Sequence, residues 1–275
     1  MRRCPWVAEA AMVAHAWAPS LLPPRVMRTL SSTSPRPAPL CVVSPHLDDA
    51  VFSCGMLLAS RPGSIVCTVF CGEPHPPQCT PWDRCAGHAD SSEALRARIA
   101  EDEQALAILG AQAVRLPFLD SQYGATPTID ALARALTRMW REAGSPRLVV
   151  PLGLYHSDHV LVGDACRSLV REERLSDTLV YEDALYRTIR GVARARYEAL
   201  AQEGFRFSPL EDSMAASLSP PRSANAKWRA VHAYRSQLRA LRDAHPYDLA
   251  EPERYHLIDP PRQGTSPVRY ELTAR

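Results

Sequence analysis

Two short segments carry residues whose types and spacing are typical of a metal site. The first is Pro45-His46-Leu47-Asp48-Asp49, which follows the apolar run 40–43, and the second is His156-Ser157-Asp158-His159. A histidine and a carboxylate three residues apart, joined by a histidine from the other segment, make a set of two imidazoles and one carboxylate. Such a set leaves coordination positions open for water, which indicates a catalytic rather than a structural metal site.

The elements that position these segments can be predicted from the hydrophobic pattern. From residue 39 onward, short apolar runs alternate with helical patterns. This alternation predicts an α/β fold, a Rossmann-like three-layer sandwich with a mostly parallel sheet between two layers of helices. Strands are predicted near 39–45, 64–71, 113–118, 147–153 and 178–182, and helices near 50–60, 91–109, 128–143, 160–174 and 224–243. The proline-rich tail from Pro246 onward is predicted to be mostly irregular.

The predicted strand ends place the polar groups at one edge of the sheet. His46, Asp48 and Asp49 follow the first strand, Asp120 follows the third, and the segment 156–159 follows the fourth. In open α/β sheets, ligands bind in the crevice beyond the carboxyl ends of the strands. We therefore expect one site at this edge, with the long loop 72–90 as a partial lid over it.

Composition excludes some classes of function. A net charge of +2 on 275 residues gives no basic face for nucleic acid, and no apolar run is long enough to span a membrane. The partner expected is a small molecule, and a homo-oligomer is left open. The cysteines predict buried free thiols in a reduced, cytoplasmic compartment, although Cys71, Cys79 and Cys85 lie close enough in sequence to suggest a second metal.

Residues 1–37 differ from the rest of the chain. They contain several arginines but only one acidic residue, Glu9, and the segment ends in a stretch rich in serine, threonine and proline. We expect a disordered N-terminal extension followed by a single domain over residues 38–275. A secretory signal is not expected, because the segment has no unbroken apolar centre. Organelle targeting and a true start at Met27 both stay open.

The two motifs together resemble the LmbE-like (PIG-L) family of zinc-dependent N-deacetylases and amidases. The family pattern is P-H-x-D-D after a strand and a later H-x-D-H, and the resemblance spans roughly residues 39–260. Weaker matches follow in the same order at 98–101, 116–120, 181–183, 227 and 236–237. The chain departs from the pattern at Ala50, where relatives carry glutamate, and at the single Gly55, where relatives carry paired glycines.

The resemblance implies roles for individual residues. His46, Asp49 and His159 would bind Zn²⁺ or another divalent ion such as Fe²⁺, and Asp48 would act as general base. His156 would stabilise the oxyanion or protonate the leaving amine, with Asp158 orienting it. The Tyr155 hydroxyl is an alternative donor to the oxyanion, and the sequence leaves the choice open. Substrate contacts would come from Arg98, Asp120, Trp82 and Tyr155, with Trp82 stacking on a sugar face.

Simpler structural roles compete with several of these assignments. The pair Asp48-Asp49 could be a helix N-cap, Arg98 could form a surface ion pair with Glu101, and Asp120 could open a turn. On the helix predicted near 224–243, Trp228 and Tyr234 fit the core-facing stripe. Lys227, Ser236 and Gln237 are predicted to lie on a solvated face.

Three classes of function remain in competition. The first is a metal-dependent hydrolase that removes an N-acyl group, acetyl above all, from an amino sugar or glycoside, or else an amidase acting on a thiol-conjugate or antibiotic-type amide. The second is a dinucleotide-dependent oxidoreductase, which the pair Asp48-Asp49 opposes because its charges would repel a pyrophosphate. The third is a metal-bearing binding protein without catalytic activity.

Overall fold

The computed structural model describes residues 37–210, 217–218, 220–241 and 246–262. The predicted extension 1–37 therefore lies, except for Pro37, outside the described residues. The strands are β1 Leu40–Ser44, β2 Ile65–Thr68, β3 Gln112–Arg115, β4 Arg147–Pro151, β5 Thr178–Tyr181, β6 Arg206–Pro209 and β7 Tyr255–Asp259. The α-helices are α1 Asp49–Ser60, α2 Pro81–Ala86, α3 Ser91–Leu109, α4 Ile129–Glu142, α5 Ser157–Glu172, α6 Val192–Gln202, α7 Ala224–Val231 and α8 Arg235–Ala240.

The strands form one sheet in the order β3-β2-β1-β4-β5-β7-β6. The first five strands pair in parallel, and β7 is antiparallel to both β5 and β6. Alternate residues of β1 face opposite sides, so that Cys41 and Val43 join one core and Leu40 and Val42 the other. Helices α4 to α6 cover the first core, and α1, α3 and α7 cover the second. The predicted three-layer α/β fold is confirmed.

The strand order fixes the place of the site. Strand β1 lies at the centre of the five parallel strands, and the chain continues to β2 on one side and later to β4 on the other. The crevice at such a switch point, beyond the carboxyl ends of the strands, is where ligands bind in open α/β sheets. Residues 45–49 leave β1 and residues 152–159 leave β4 at this crevice, so the sequence-based placement of the polar groups at one edge was right.

The chain beyond β5 contains more regular structure than its sequence predicts. Helix α6 and the antiparallel pair β6 and β7 were not predicted, and the prediction of an irregular tail from Pro246 is wrong over β7. The strand β6 is only four residues long and mostly exposed, so its hydrophobic pattern is weak. Helix α5 also begins at Ser157, earlier than predicted.

The helix predicted near 224–243 is broken in two. The backbone leaves the helical region at Tyr234, where φ is −80° and ψ is 62°. The Tyr234 hydroxyl donates to the buried Asp102 at 2.9 Å, and Glu101 accepts from the Ser236 amide at 2.9 Å. The bond from the Ser236 amide replaces a helix hydrogen bond at the break, and the bond from the Tyr234 hydroxyl ties the break to α3. Tyr234 is buried as predicted, but Trp228 is 38% exposed rather than part of the core.

A buried ion pair joins three distant parts of the chain. Helix α1 is kinked at Cys54, and the amides of Met56 and Leu57 donate to the Glu253 carboxylate at 2.7 and 3.1 Å. The Lys227 ammonium lies 3.0 Å from the same carboxylate. The predicted solvated face is therefore wrong for Lys227, and also for Ser236 and Gln237, all of which are buried.

Replacing Lys227 with methionine is expected to destabilise the protein by about 3 kcal/mol, because removing one partner of a buried ion pair leaves the other charge in a poor environment. Methionine nearly matches the length of lysine, so the loss reflects charge rather than volume. Denaturant unfolding measures the difference. As a control, Arg229→Met on the exposed side of the same helix should change the free energy of unfolding by less than about 0.5 kcal/mol. If the Lys227 variant were as stable as the wild type, the ion pair would not contribute to stability.

None of the helices in the described residues combines the length and the apolar character needed to cross a membrane.

Candidate metal centre and active site

The turn after β1 directs Asp49 back towards His46. The Ser44 hydroxyl donates to the His46 carbonyl at 2.5 Å and accepts from the Ala50 amide at 2.9 Å, which holds the turn closed. Inside it, the His46 amide donates to Asp49 Oδ2 at 2.8 Å. The first residue of α1 thus presents its carboxylate to the crevice, in the first turn of a helix where negative charge is favoured.

Three side chains from the two motifs converge at this turn. His46 Nδ1 lies 3.1 Å from Asp49 Oδ2, and His159 Nε2 lies 3.2 Å from the same oxygen. Ligand atoms of the three residues all fall within 4.8 Å of one another. The structure therefore brings together the residues of two segments more than a hundred positions apart in the chain.

The spacing and chemistry of this group fit a divalent metal ion. Ligands at 2.0–2.2 Å from a tetrahedral Zn²⁺ lie about 3.3–3.6 Å from one another, slightly more than the two distances to Asp49 Oδ2. Two imidazoles and one carboxylate suit Zn²⁺ and Fe²⁺ alike. Among the described residues, the other group able to hold a metal shares His46 and adds His156 and Asp158, and Cys71, Cys79 and Cys85 belong to neither group.

The charges of the three residues are strongly coupled. Burial alone would raise the pKa of Asp49, but the imidazoles of His159 and His46 outweigh burial and hold it well below its ordinary value. Burial opposes protonation of His159, yet Asp49 and Asp183 raise its pKa to about 9. The group thus keeps its carboxylate ionised beside a protonated imidazole, and a metal ion bound there would displace the imidazole proton.

Asp183 is a site residue that the sequence analysis matched to the family without giving it a role. Its Oδ1 lies 2.7 Å from His159 Nδ1, and its Oδ2 accepts from the amides of Gly153 and Leu154 at 2.9 and 3.2 Å. The carboxylate therefore orients the imidazole so that Nε2 faces Asp49, and it also fixes the loop that leaves β4. Its position directly beyond β5, at the same sheet edge, was the available signal.

Replacing Asp183 with asparagine is expected to weaken metal affinity about 10- to 100-fold, the usual cost of losing a charged partner of a histidine ligand. Competition with a chromogenic chelator measures the affinity. The neighbouring Glu182→Gln serves as control, because Glu182 bonds to Tyr197 and Arg254 rather than to the centre. Wild-type affinity in the Asp183 variant would show that this carboxylate does not position His159.

Asp48 faces the same cleft but stays outside the group of three. It occupies the N-cap position of α1, yet its side chain makes no capping hydrogen bond, so the N-cap alternative does not explain it. Burial and the adjacent Asp49 raise the pKa of Asp48 to about 6, with Arg98 and His46 acting in the opposite direction. The two neighbouring carboxylates thus lie in different environments. The imidazoles keep Asp49 ionised, whereas the pKa of Asp48 is close to neutral pH.

His156 and Asp158 are arranged differently from the prediction. His156 caps α5, and its Nδ1 accepts from the Asp158 amide at 3.2 Å. The Asp158 carboxylate lies 3.1 Å from His46 Nε2 but 4.0 Å from His156 Nδ1. Asp158 therefore orients His46 rather than His156, whose Nδ1 already accepts from the Asp158 backbone amide. The neutral His156 ring keeps its N–H on Nε2, on a side chain that lines the cleft.

The centre lies in a cleft of about 190 Å³ that also includes Arg98, Asp120 and Trp82. The Arg98 guanidinium is largely buried, 3.8 Å from Asp120, and its Nε has no hydrogen-bond partner. The alternative pairing of Arg98 with Glu101 is wrong, since Glu101 bonds to Ser236. Asp120 both opens a turn, by accepting from the Gln122 amide at 3.1 Å, and lines the cleft.

The loop predicted as a partial lid forms one wall of the cleft. It contains α2, which begins with a capping box made by Thr80 and Asp83. Thr80 donates to Gln122 at 2.6 Å, and Tyr123 donates to Asp83 at 3.1 Å. Trp82 projects from α2 into the cleft and donates to Gln237 at 3.3 Å. The wall is therefore tied to the rest of the protein on two sides.

Fold and centre together define an α/β protein with an open His/Asp/His group at a topological switch point. The model of the PIG-L family, described as GlcNAc-PI de-N-acetylase, matches residues 41–170, which contain both motifs. The resemblance that the motifs predicted is confirmed over these residues, and the match supports the predicted class of hydrolytic N-deacetylases. Curated protein sequences give no significant match to the chain.

Solved structures agree with the fold. The zinc-inhibited form of teicoplanin deacetylase Orf2 is 21% identical with a TM-score of 0.67, over 83% of this chain and 100% of that one. A deacetylase-teicoplanin complex is 24% identical with a TM-score of 0.61, over 81% and 97%. The A40926 pseudoaglycone deacetylase Dbv21 is 22% identical with a TM-score of 0.58, over 81% and 96%. At these identities the likeness establishes the architecture.

Proposed function

We propose that this protein is a metal-dependent hydrolase that removes an N-acyl group, acetyl above all, from an amino sugar or glycoside. The observation that carries the proposal is the division of labour between adjacent carboxylates. Asp49 groups with His46 and His159, while Asp48 faces the same cleft without joining that group. A purely structural metal site would have no use for a second, uncoordinated acid at this place.

His46, Asp49 and His159 would hold the ion, with Zn²⁺ and Fe²⁺ both compatible with the ligand set. A divalent ion bound there would supply Lewis-acid polarisation of the amide carbonyl and make water more acidic. Asp183 and Asp158 would keep the two imidazoles in the orientation that ligation requires, from the sides opposite the centre.

Asp48 would take the proton from the attacking water. General-base catalysis needs a carboxylate beside the reacting water, and Asp48 lies one residue from the ligand Asp49 without a capping bond of its own. The same carboxyl can then deliver that proton to the departing amine, whose expulsion as an anion is prohibitively slow. No side chain needs to form a covalent bond with the acyl group in this scheme.

His156 would stabilise the oxyanion of the tetrahedral intermediate. Its Nδ1 is occupied by the Asp158 amide, so the neutral ring presents Nε2–H as a donor towards the cleft. A fixed donor aimed at developing negative charge is among the most effective catalytic devices, because it needs no reorganisation during the reaction. This role uses the hydrogen-bonded tautomer and does not require a protonated imidazole.

Arg98, Asp120 and Trp82 would bind the sugar. A guanidinium and a carboxylate 3.8 Å apart offer donors and acceptors for neighbouring hydroxyl groups, and the Trp82 ring offers an apolar face. The family and the teicoplanin deacetylases of similar fold support an N-acylated sugar as the substrate class.

The test is an amine-release assay on metal-analysed protein across N-acylated sugars, with thiol-conjugate and antibiotic-type amides in the same panel. We expect release of amine and acetate from N-acetylated amino sugars, loss of activity with a chelator, and recovery on adding Zn²⁺ or Fe²⁺. Hydrolysis restricted to the other amides would favour the amidase alternative. Stoichiometric metal without hydrolysis of any amide would overturn the proposal in favour of a binding protein.

A further inference from the structure

Tyr155 stands at the rim of the cleft, directly before His156 in the chain. It is 67% exposed, more than any other large hydrophobic side chain in the described residues. Its ring lies outside the cleft wall but stacks on Tyr186, which lines the cleft. A single exposed aromatic is unremarkable by itself, so its backbone and its neighbours decide whether it has a use.

The backbone at Tyr155 is strained. Its φ is +58°, a left-handed value that favours glycine, and the His156 amide donates to the Leu154 carbonyl at 2.7 Å across it. This is a three-residue turn of the rare positive-φ kind. Strain of this sort concentrates at active sites and ligand clamps. Glycine would relieve the strain, and the chain instead holds a large ring here.

The ring continues a series that starts at the catalytic centre. Tyr186 packs edge-on against His159 with ring centroids 4.9 Å apart, and it stacks on His156 at 6.3 Å with an interplanar angle of 26°. On the outer side, Tyr155 stacks on Tyr186 at 5.7 Å and 30°. Aromatic surface therefore extends without interruption from the reacting groups to the outside of the protein.

The size of the cleft limits what it can enclose. At about 190 Å³ it is smaller than the roughly 300–1,000 Å³ of pockets that enclose a drug-sized ligand. It has room for about one N-acylated sugar ring. Any further ring attached to that sugar must lie over the rim, where the aromatic surface is exposed.

We propose that Tyr155 and Tyr186 form a platform for the ring attached to the N-acylated sugar, and that these two side chains set the preference for such a glycoside over the free monosaccharide. Sugar rings and aryl groups both present a flat apolar face that stacks on a phenol ring. The proposal rests on the proposed function, because it takes the acylated sugar to sit in the cleft. The platform would contribute to specificity by binding the ring attached to that sugar.

The first test compares kcat/KM for amine release from N-acetylglucosamine and from 4-nitrophenyl N-acetyl-β-glucosaminide, whose aryl ring replaces the second ring. We expect the wild type to favour the aryl glycoside at least about tenfold, which corresponds to about 1.4 kcal/mol. Tyr155→Ala should reduce the ratio to within about threefold of one. Tyr155→Phe should keep the ratio, because it retains the ring, and so should Trp228→Ala, which removes an exposed aromatic elsewhere.

A second test does not depend on turnover. Both ligands are titrated calorimetrically into the metal-loaded Asp48→Asn protein, with and without Tyr155→Ala. Tighter binding of the aryl glycoside, lost with Tyr155→Ala, supports the platform even if no amide is hydrolysed, in which case only the proposed function fails. Equal affinity for the two ligands, or a preference unchanged by Tyr155→Ala in either test, overturns the platform.

Discussion

Replacing Asp48 with asparagine is expected to lower kcat about 10³-fold while metal content and KM stay near wild type. Asparagine matches the shape of aspartate but cannot accept the proton of the attacking water, and general-base catalysis is typically worth 10²–10⁴ in rate. A 10³-fold loss corresponds to about 4 kcal/mol of transition-state stabilisation. Because the base acts only in the transition state, the loss should fall on kcat rather than on KM.

Three measurements on the Asp48→Asn protein decide the matter: metal analysis, steady-state kinetics on an N-acetylated sugar and thermal unfolding. Asp130→Asn, an exposed carboxylate in the first turn of α4, is the matched control and should behave as wild type. If the Asp48 variant kept a tenth or more of the wild-type kcat, Asp48 could not be the base. If it lost the metal as well, Asp48 would be a ligand.

The corresponding change at Asp49 is expected to remove both metal and activity. Asp49 is the only anionic member of the group of three, and its Oδ2 is the atom that both imidazoles approach. Losing a charge in the partner of a ligand already costs 10- to 100-fold in affinity, so losing the charge of the ligand itself should cost at least about 100-fold. Asp49→Asn should therefore be purified with little metal and no measurable turnover.

The Asp48→Asn and Asp49→Asn proteins control for each other. The two substitutions are chemically identical and fall on adjacent residues, but only the second should alter metal affinity in a chelator competition. Excess Zn²⁺ should restore part of the activity to the Asp49 variant and none to the Asp48 variant. Indistinguishable metal affinities for the two would contradict the division of roles between these carboxylates.

The fold was largely predictable because its core strands are buried on both faces. Strand β1 is apolar from Leu40 to Val43, and the helices between the strands carry clear caps such as Thr128 before α4 and Gly110 after α3. The edge strand β6 offers no such signal, since three of its four residues are exposed. It is held by pairing with β7, a contact that local hydrophobic pattern does not encode.

The convergence of His46, Asp49 and His159 was predictable for a geometric reason. Parallel strands end at the same edge of a sheet, so polar residues directly after β1 and β4 must meet there. The choice of hydrogen-bond partners was not predictable in the same way. Whether Asp158 orients His46 or His156 depends on side-chain rotamers and on a backbone amide that competes for His156 Nδ1.

The wrong predictions on α7 and α8 arise from long-range contacts. Lys227 looks like a solvated residue in its own segment, but Glu253, on the approach to β7, supplies a buried partner. Gln237 is buried because Trp82 reaches it from α2. In both cases the environment is created by parts of the chain far away in sequence, so helical periodicity alone assigns the wrong face.

Anomalous diffraction at the absorption edge of the bound metal, recorded on crystals of the purified protein, tests the central assignment most directly. We expect one ion per chain, contacted by His46, Asp49 and His159 and not by Asp48. The assignment would be contradicted by an ion bound elsewhere or by ligation through Asp48. It would also be contradicted by full hydrolytic activity of protein that contains no metal.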